Sequence, residues 1–114
     1  MLARILARFM NTASPSVIEH EELLHGHQSE KYTVVDVRES NEYAGGHIPG
    51  AINLPLSKFD PARVPRGRQV VLICQAGGRS AAALKKMKAA GVEDARHYAA
   101  GMSGWRSRKG PVVV

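Results

Sequence analysis

The 114-residue chain contains one cysteine, Cys74. A single thiol excludes an internal disulfide, and it excludes an attacking and a resolving cysteine in the same chain. The thiolate sets of structural zinc sites are missing too. The five histidines, His20, His25, His27, His47 and His97, contain no His-x-x-x-His pair, so no metal site is expected. His25 and His27 are two apart, share no helical face and read as solvated loop residues. No apolar run approaches the ~20 residues needed to span a membrane. Aromatics are scarce, six in all, and no acid occurs before Glu19.

The net charge of +6 suggests nucleic acid until its distribution is considered. Residues 15–105 hold 11 basic and 10 acidic side chains, and the excess lies at Arg4, Arg8, Arg106, Arg108 and Lys109. A nucleic-acid-binding domain carries its basic stripe on the fold, interleaved with aromatics, so no nucleic-acid partner is expected. The length fits one domain that buries a core without disulfides or metals.

The most informative stretch is Val70-Val71-Leu72-Ile73-Cys74-Gln75-Ala76-Gly77-Gly78-Arg79-Ser80, followed by Ala81 to Met87. Its apolar, β-branched start predicts a buried strand that ends on Cys74. Gly77 and Gly78 allow a loop with φ > 0 that curls around one point, and Ser80 is placed to open an alanine-rich helix. A thiol at the mouth of a ring of backbone N–H groups, capped by a helix N-terminus, has a lowered pKa and binds anions. Arg79 adds a fixed positive charge. The pattern points to a cysteine nucleophile acting on an anionic substrate, with Gln75, Ala76, Gly77, Gly78, Arg79 and Ser80 holding it. Four residues separate Cys74 from Arg79, whereas cysteine phosphatases place five between theirs. The shorter loop makes a tighter ring, suited to a persulfide sulfur rather than to phosphate.

Several motifs lie in order around that loop: Val35-Asp36-Val37-Arg38-Glu39, Glu42-Tyr43, Gly46-His47-Ile48-Pro49-Gly50-Ala51-Ile52-Asn53-Leu54-Pro55, and Gly101-Met102-Ser103-Gly104-Trp105. With Cys74 they resemble a single-domain rhodanese, a thiosulfate sulfurtransferase, over residues 16–113. The resemblance implies a rhodanese-like α/β fold, an open, mainly parallel five-stranded sheet with helices on both faces. It also implies a Cys74 persulfide, thiosulfate or a related sulfane sulfur as donor, a thiol or protein acceptor, and no cofactor. Thiosulfate would be drawn in by Arg79 and the loop dipoles. Alternatives are a sulfur-carrier or persulfide relay module for a protein partner and, less in keeping with the loop length, a cysteine phosphatase or arsenate reductase.

Alternating strand and helix patterns independently indicate a parallel sheet covered on both faces. Strands are expected at 17–18, 32–37, 51–54, 69–73 and 95–98. Helices are expected at 19–24, 40–44 capped by Ser40, 80–90 ended by Gly91, and after Gly101; a turn of helix fits 56–59. Residues 1–14 stand apart from the domain at 15–114. Leu2, Ile5, Leu6, Phe9 and Met10 fall on one helical face and Arg4 and Arg8 on the other. They fit a helix packed on its own domain or a partner, a membrane-surface contact through residues 2–10 or targeting segment, or a disordered start. The expected compartment is the cytoplasm, with an organelle or the membrane periphery as alternatives tied to that segment. Asp36 and Arg38, at a strand end, either support the site or pair to fix the loops. His47 reads as a hydrogen-bonded turn residue, Trp105 as core, and Arg63, Arg66, Arg68 and Arg106 as either a pocket rim or a solvated face.

Overall fold

The computed structural model describes residues 16–114, so the readings of residues 1–14 lie outside it. Four parallel strands form one sheet: β1 (Tyr32–Asp36), β2 (Ile52–Asn53), β3 (Gln69–Ile73) and β4 (Arg96–His97), in the order β2-β1-β3-β4. The fifth strand expected at Val17 and Ile18 is reduced to one parallel bridge between Val17 and His97. Glu19 already serves as N-cap of α1 (His20–Gln28), which leaves the preceding segment too short for a ladder. That helix runs further than its predicted end at Leu24 and carries His25 and His27 in its last turn rather than in a loop. His27 is half-buried, and its Nε2 lies 2.8 Å from the Pro49 carbonyl.

Side-chain alternation gives the sheet two cores. Tyr32 and Val34 of β1 and Val71 and Ile73 of β3 pack with Ile18, Leu23, Met102 and Trp105. Val35, Val37, Val70, Leu72 and Cys74 pack on the other face with Ala83, Leu84 and Met87. Those last three belong to α3 (Gly78–Ala89), whereas Met102 and Trp105 belong to α4 (Gly101–Ser107). Val70 to Ile73 are all buried, as a strand covered on both faces must be. Trp105 has no exposed surface and its indole N–H donates to the Pro111 carbonyl at 2.8 Å, so it is core. α3 ends as its glycine predicts. Gly91 has φ 91°, and Val92 N–H reaches back to the Met87 carbonyl at 3.0 Å.

Between β1 and β2 lies the short helix α2 (Ser40–Ala44), capped by Glu39 rather than by Ser40; the Glu39 N–H donates to Glu42 Oε1 at 3.1 Å. Asp36 and Arg38 flank the turn that leads into it and form a buried ion pair. Arg38 Nη2 donates to Asp36 Oδ2 at 2.8 Å and to the Gly46 carbonyl at 2.7 Å, and Arg38 Nε donates to Asp36 Oδ1 at 3.0 Å. Asn53 closes the turn by donating to the Asp36 and Arg38 carbonyls. Every visible partner of the pair is structural, so it fixes the loops on either side of α2. Replacing Arg38 by Ala strands the fully buried Asp36 carboxylate. Urea unfolding of Arg38→Ala is expected to show a loss of about 3–5 kcal/mol; a loss below about 1 kcal/mol contradicts this role.

Candidate active site

Alternation along β3 decides where the thiol points. Cys74 follows Val70 and Leu72 on the face covered by α3, so its sulfur meets the start of that helix. The residue is 2% exposed, more enclosed than a thiol at a loop mouth would be. The chain reverses through Gln75, Ala76 and Gly77. Gly77 is the N-cap of α3 at φ 103°, and Gly78, expected to share the loop, is already helical. Helix α3 thus begins two residues before Ser80, the predicted cap. Ser80 sits in its first turn, fully buried, with its hydroxyl turned inward. A Cβ at Gly77 would strike the Ala99 carbonyl, which makes glycine a requirement twice over.

The polarity of this turn is set from outside. The amides of Met102 and Ser103, at the start of α4, donate to the carbonyls of Cys74 (2.8 Å) and Gln75 (3.1 Å). Gly101 permits that approach, because any Cβ there would meet the Gln75 carbonyl. With the Gln75 carbonyl held outward, the Ala76 amide of the same peptide unit turns in, and the next amide, Gly77 N–H, donates to Cys74 Sγ at 3.0 Å. Ser80 Oγ lies 3.5 Å from the same sulfur. Burial pushes the thiol pKa up. The Ser80 hydroxyl and the amides of Ser80, Ala76 and Gly77 together outweigh burial, so the pKa lies below its ordinary value.

Arg79, expected to add a fixed positive charge beside the loop, is ion-paired. Its guanidinium grips Glu42 of α2 at 2.7 and 3.0 Å, and the two side chains are 36% and 32% exposed. Arg79 holds the Glu42 carboxyl down to about 2. The folded pKa is below the ordinary one, so the pair is intact above the usual carboxylate range and lost only as pH falls toward 2. Glu42 was legible as part of Glu-Tyr, though nothing in the sequence joined it to a residue 37 positions away. The other residue that sequence reasoning missed is His97, whose Nδ1 lies 2.8 Å from Ser80 Oγ; a single His in a short strand gives no signal.

Gln75, Ala76 and Gly78 are exposed and form the outer rim, while Asp36 and Arg38 pair with each other instead of facing the sulfur. Arg66 and Arg68 line a surface hollow with Val64, Met87 and Asp94 at the start of β3. The length of that strand, about 16 Å, separates them from Cys74, and they are not part of its rim. Arg63 is exposed in a 3-10 turn, and Arg106 lies against Gly46. His47 stacks on Tyr43 at 3.7 Å and its Nδ1 bonds the Tyr43 carbonyl, the turn role expected of it. Among the described residues no cluster of His, Cys, Asp and Glu could hold a metal, and no helix is long and apolar enough to cross a membrane.

The model of the rhodanese-like domain matches residues 19–108. The chain is 38% identical over 88 residues to the "Probable adenylyltransferase/sulfurtransferase MoeZ" of Mycobacterium tuberculosis, covering 74% of this chain and 22% of that one. It spans less than half the length of several curated relatives it matches. Among solved structures, a rhodanese-related protein from Thermoplasma volcanium has a TM-score of 0.78 at 31% identity, covering 86% of this chain and 97% of that one. The human single-domain sulfurtransferase TSTD1 has a TM-score of 0.73 at 28% identity, covering 82% and 96%.

Gly77→Ala tests the turn. It forces a side chain into a left-handed conformation against the Ala99 carbonyl. We expect more than about 1 kcal/mol of lost stability by denaturant unfolding, together with a Cys74 thiol that titrates at higher pH. An unchanged thiol titration contradicts the account of the turn.

Proposed function

The chain belongs to the rhodanese-like domain family, and on that premise we propose that it is a sulfurtransferase carrying sulfane sulfur on Cys74. The observation that supports this most is the turn of inward-facing amides around the Cys74 sulfur. A thiolate there attacks the outer sulfur of thiosulfate. A bond forms between Cys74 Sγ and that sulfur, and the sulfur–sulfur bond of the donor breaks with its electron pair leaving on sulfite. The terminal persulfide sulfur carries the negative charge that Sγ gave up. Fixed N–H dipoles in a water-poor site stabilise such charge without reorganising. An acceptor thiophile, a thiol or a protein cysteine, then attacks the terminal sulfur and returns Cys74 as thiolate. Every step is a displacement at sulfur, so the residues present suffice. The loop, one residue shorter than a phosphatase loop, speaks against phosphate-ester chemistry.

One observation favours a second reading, a persulfide relay for a protein partner. Arg79 already holds Glu42 bidentately. A site whose loop cation is paired attracts a small dianion less than a free guanidinium would, whereas a protein thiol needs no such attraction. The two readings share Cys74 and differ in how well thiosulfate serves.

The test is thiocyanate formation from thiosulfate and cyanide. Turnover by the wild type and none by Cys74→Ser is expected; full activity in Cys74→Ser would sink the proposal. Glu42→Gln frees Arg79 and is expected to lower KM for thiosulfate about three- to five-fold, the size of a half-exposed ion pair. Arg79→Ala is expected to raise it. The thiolate is the attacking form, so sulfur loading falls as pH drops through the thiol pKa, which the turn sets below the ordinary cysteine range.

A further inference from the structure

His97 is buried, lies next to the nucleophile's own partner, and has no part in the sulfur chemistry described above. It is 8% exposed, at the end of β4. Its backbone is fixed on both sides: the N–H donates to the Ser16 carbonyl at 2.8 Å and the carbonyl accepts from Ile18 N–H at 3.0 Å. The ring is therefore aimed, with Nδ1 at 2.8 Å from Ser80 Oγ.

Proton counting at Ser80 leaves two arrangements for the ring. The hydroxyl has one proton and three neighbours: the Gly77 carbonyl at 3.1 Å, Cys74 Sγ at 3.5 Å and His97 Nδ1 at 2.8 Å. The carbonyl can only accept, and it already takes Ala81 N–H at 3.0 Å. With the hydroxyl proton as its second donor, His97 donates to Ser80 from Nδ1; with the hydroxyl proton on Nδ1 instead, the ring carries its own proton on Nε2. When the thiol loses its proton to solvent, the sulfur becomes the stronger acceptor and the hydroxyl proton can swing from Gly77 to Sγ. It can do so only while Nδ1–H keeps hold of the Ser80 oxygen. A bare Nδ1 would compete for the same proton.

We propose that His97 is a positioning residue for Cys74: it donates Nδ1–H to Ser80 Oγ and so commits the Ser80 hydroxyl to the ionised sulfur. Burial lowers the ring's pKa below the ordinary histidine value, which favours the neutral form, and through Ser80 the ring reaches Cys74. The Ser80 hydroxyl is also the largest single influence lowering the Cys74 pKa, so whatever orients it acts on the nucleophile.

This inference deepens the reading of Cys74 as nucleophile, but its test reads the thiol itself, so sulfur transfer can fail while His97 stands. The measurement is the rate of Cys74 alkylation by iodoacetamide against pH in the full chain. His97→Leu is expected to move the profile to higher pH by about one unit. At pH values below both midpoints that is about ten-fold slower alkylation, the scale of one charge-assisted hydrogen bond. His97→Asn, whose amide can donate from nearly the same place, is expected to restore most of the rate. In a Ser80→Ala background, His97→Leu is expected to add nothing. An unchanged profile for His97→Leu overturns the proposal, as does an equal further shift in the Ser80→Ala background. Should His97→Leu not fold, nitrogen-15 spectra of the wild-type imidazole decide. A neutral ring with its proton on Nδ1 across the thiol titration supports the proposal, and a proton on Nε2 overturns it.

Discussion

Two amides at the start of α4 hold the carbonyls of Cys74 and Gln75, and the rest of the site depends on that hold. A peptide unit cannot point both its groups inward. Fixing the Gln75 carbonyl on α4 leaves the Ala76 N–H to face the sulfur, where Gly77 N–H and the first turn of α3 take over. The parallel sheet makes this possible, because β3 delivers Cys74 to the C-terminal edge where the helix N-termini gather. Gly77 and Gly101 are then required for geometry, since each lies where a Cβ would collide with a carbonyl of the opposing segment.

The site works with dipoles more than with free charge. Its nearest cation, Arg79, is bound by Glu42, and the buried Arg38 is bound by Asp36. Each pair also ties a loop: Arg38–Asp36 braces the turn after β1, and Arg79–Glu42 fastens α2 to the start of α3. A soft sulfur anion enclosed at 2% exposure is served by several N–H groups that need not move. The lowered thiol pKa follows from those donors acting against burial, with the Ser80 hydroxyl foremost among them.

Much of this was readable from the chain. Val70 to Ile73 announced a buried strand, and Gly91 announced the end of α3. Cys74 followed by a glycine loop announced an amide-lined turn. The errors have local causes. Ser80 is a favoured cap residue, yet Gly77 reaches the left-handed cap position first, so the serine is drawn inside the helix and gains its role at the sulfur. Ser40 loses its capping place to Glu39, which closes a capping box with Glu42. The strand at Val17 shrinks to a bridge because the helix cap at Glu19 follows at once. His25 and His27 sit in the last turn of α1, where Gly26 between them packs against Tyr32 at a distance that leaves no room for a Cβ. The pairings Arg79–Glu42 and His97–Ser80 join residues 37 and 17 apart, and no periodicity reports contacts made only by the fold.

The central claim is that Cys74 takes up a single sulfur atom inside the amide turn, and intact-protein mass spectrometry with peptide mapping tests it most directly. After thiosulfate is added without acceptor, the account predicts a gain of one sulfur atom located on the peptide containing Cys74 and released by cyanide. An unchanged mass, or a gain that maps elsewhere or persists in Cys74→Ser, would contradict it.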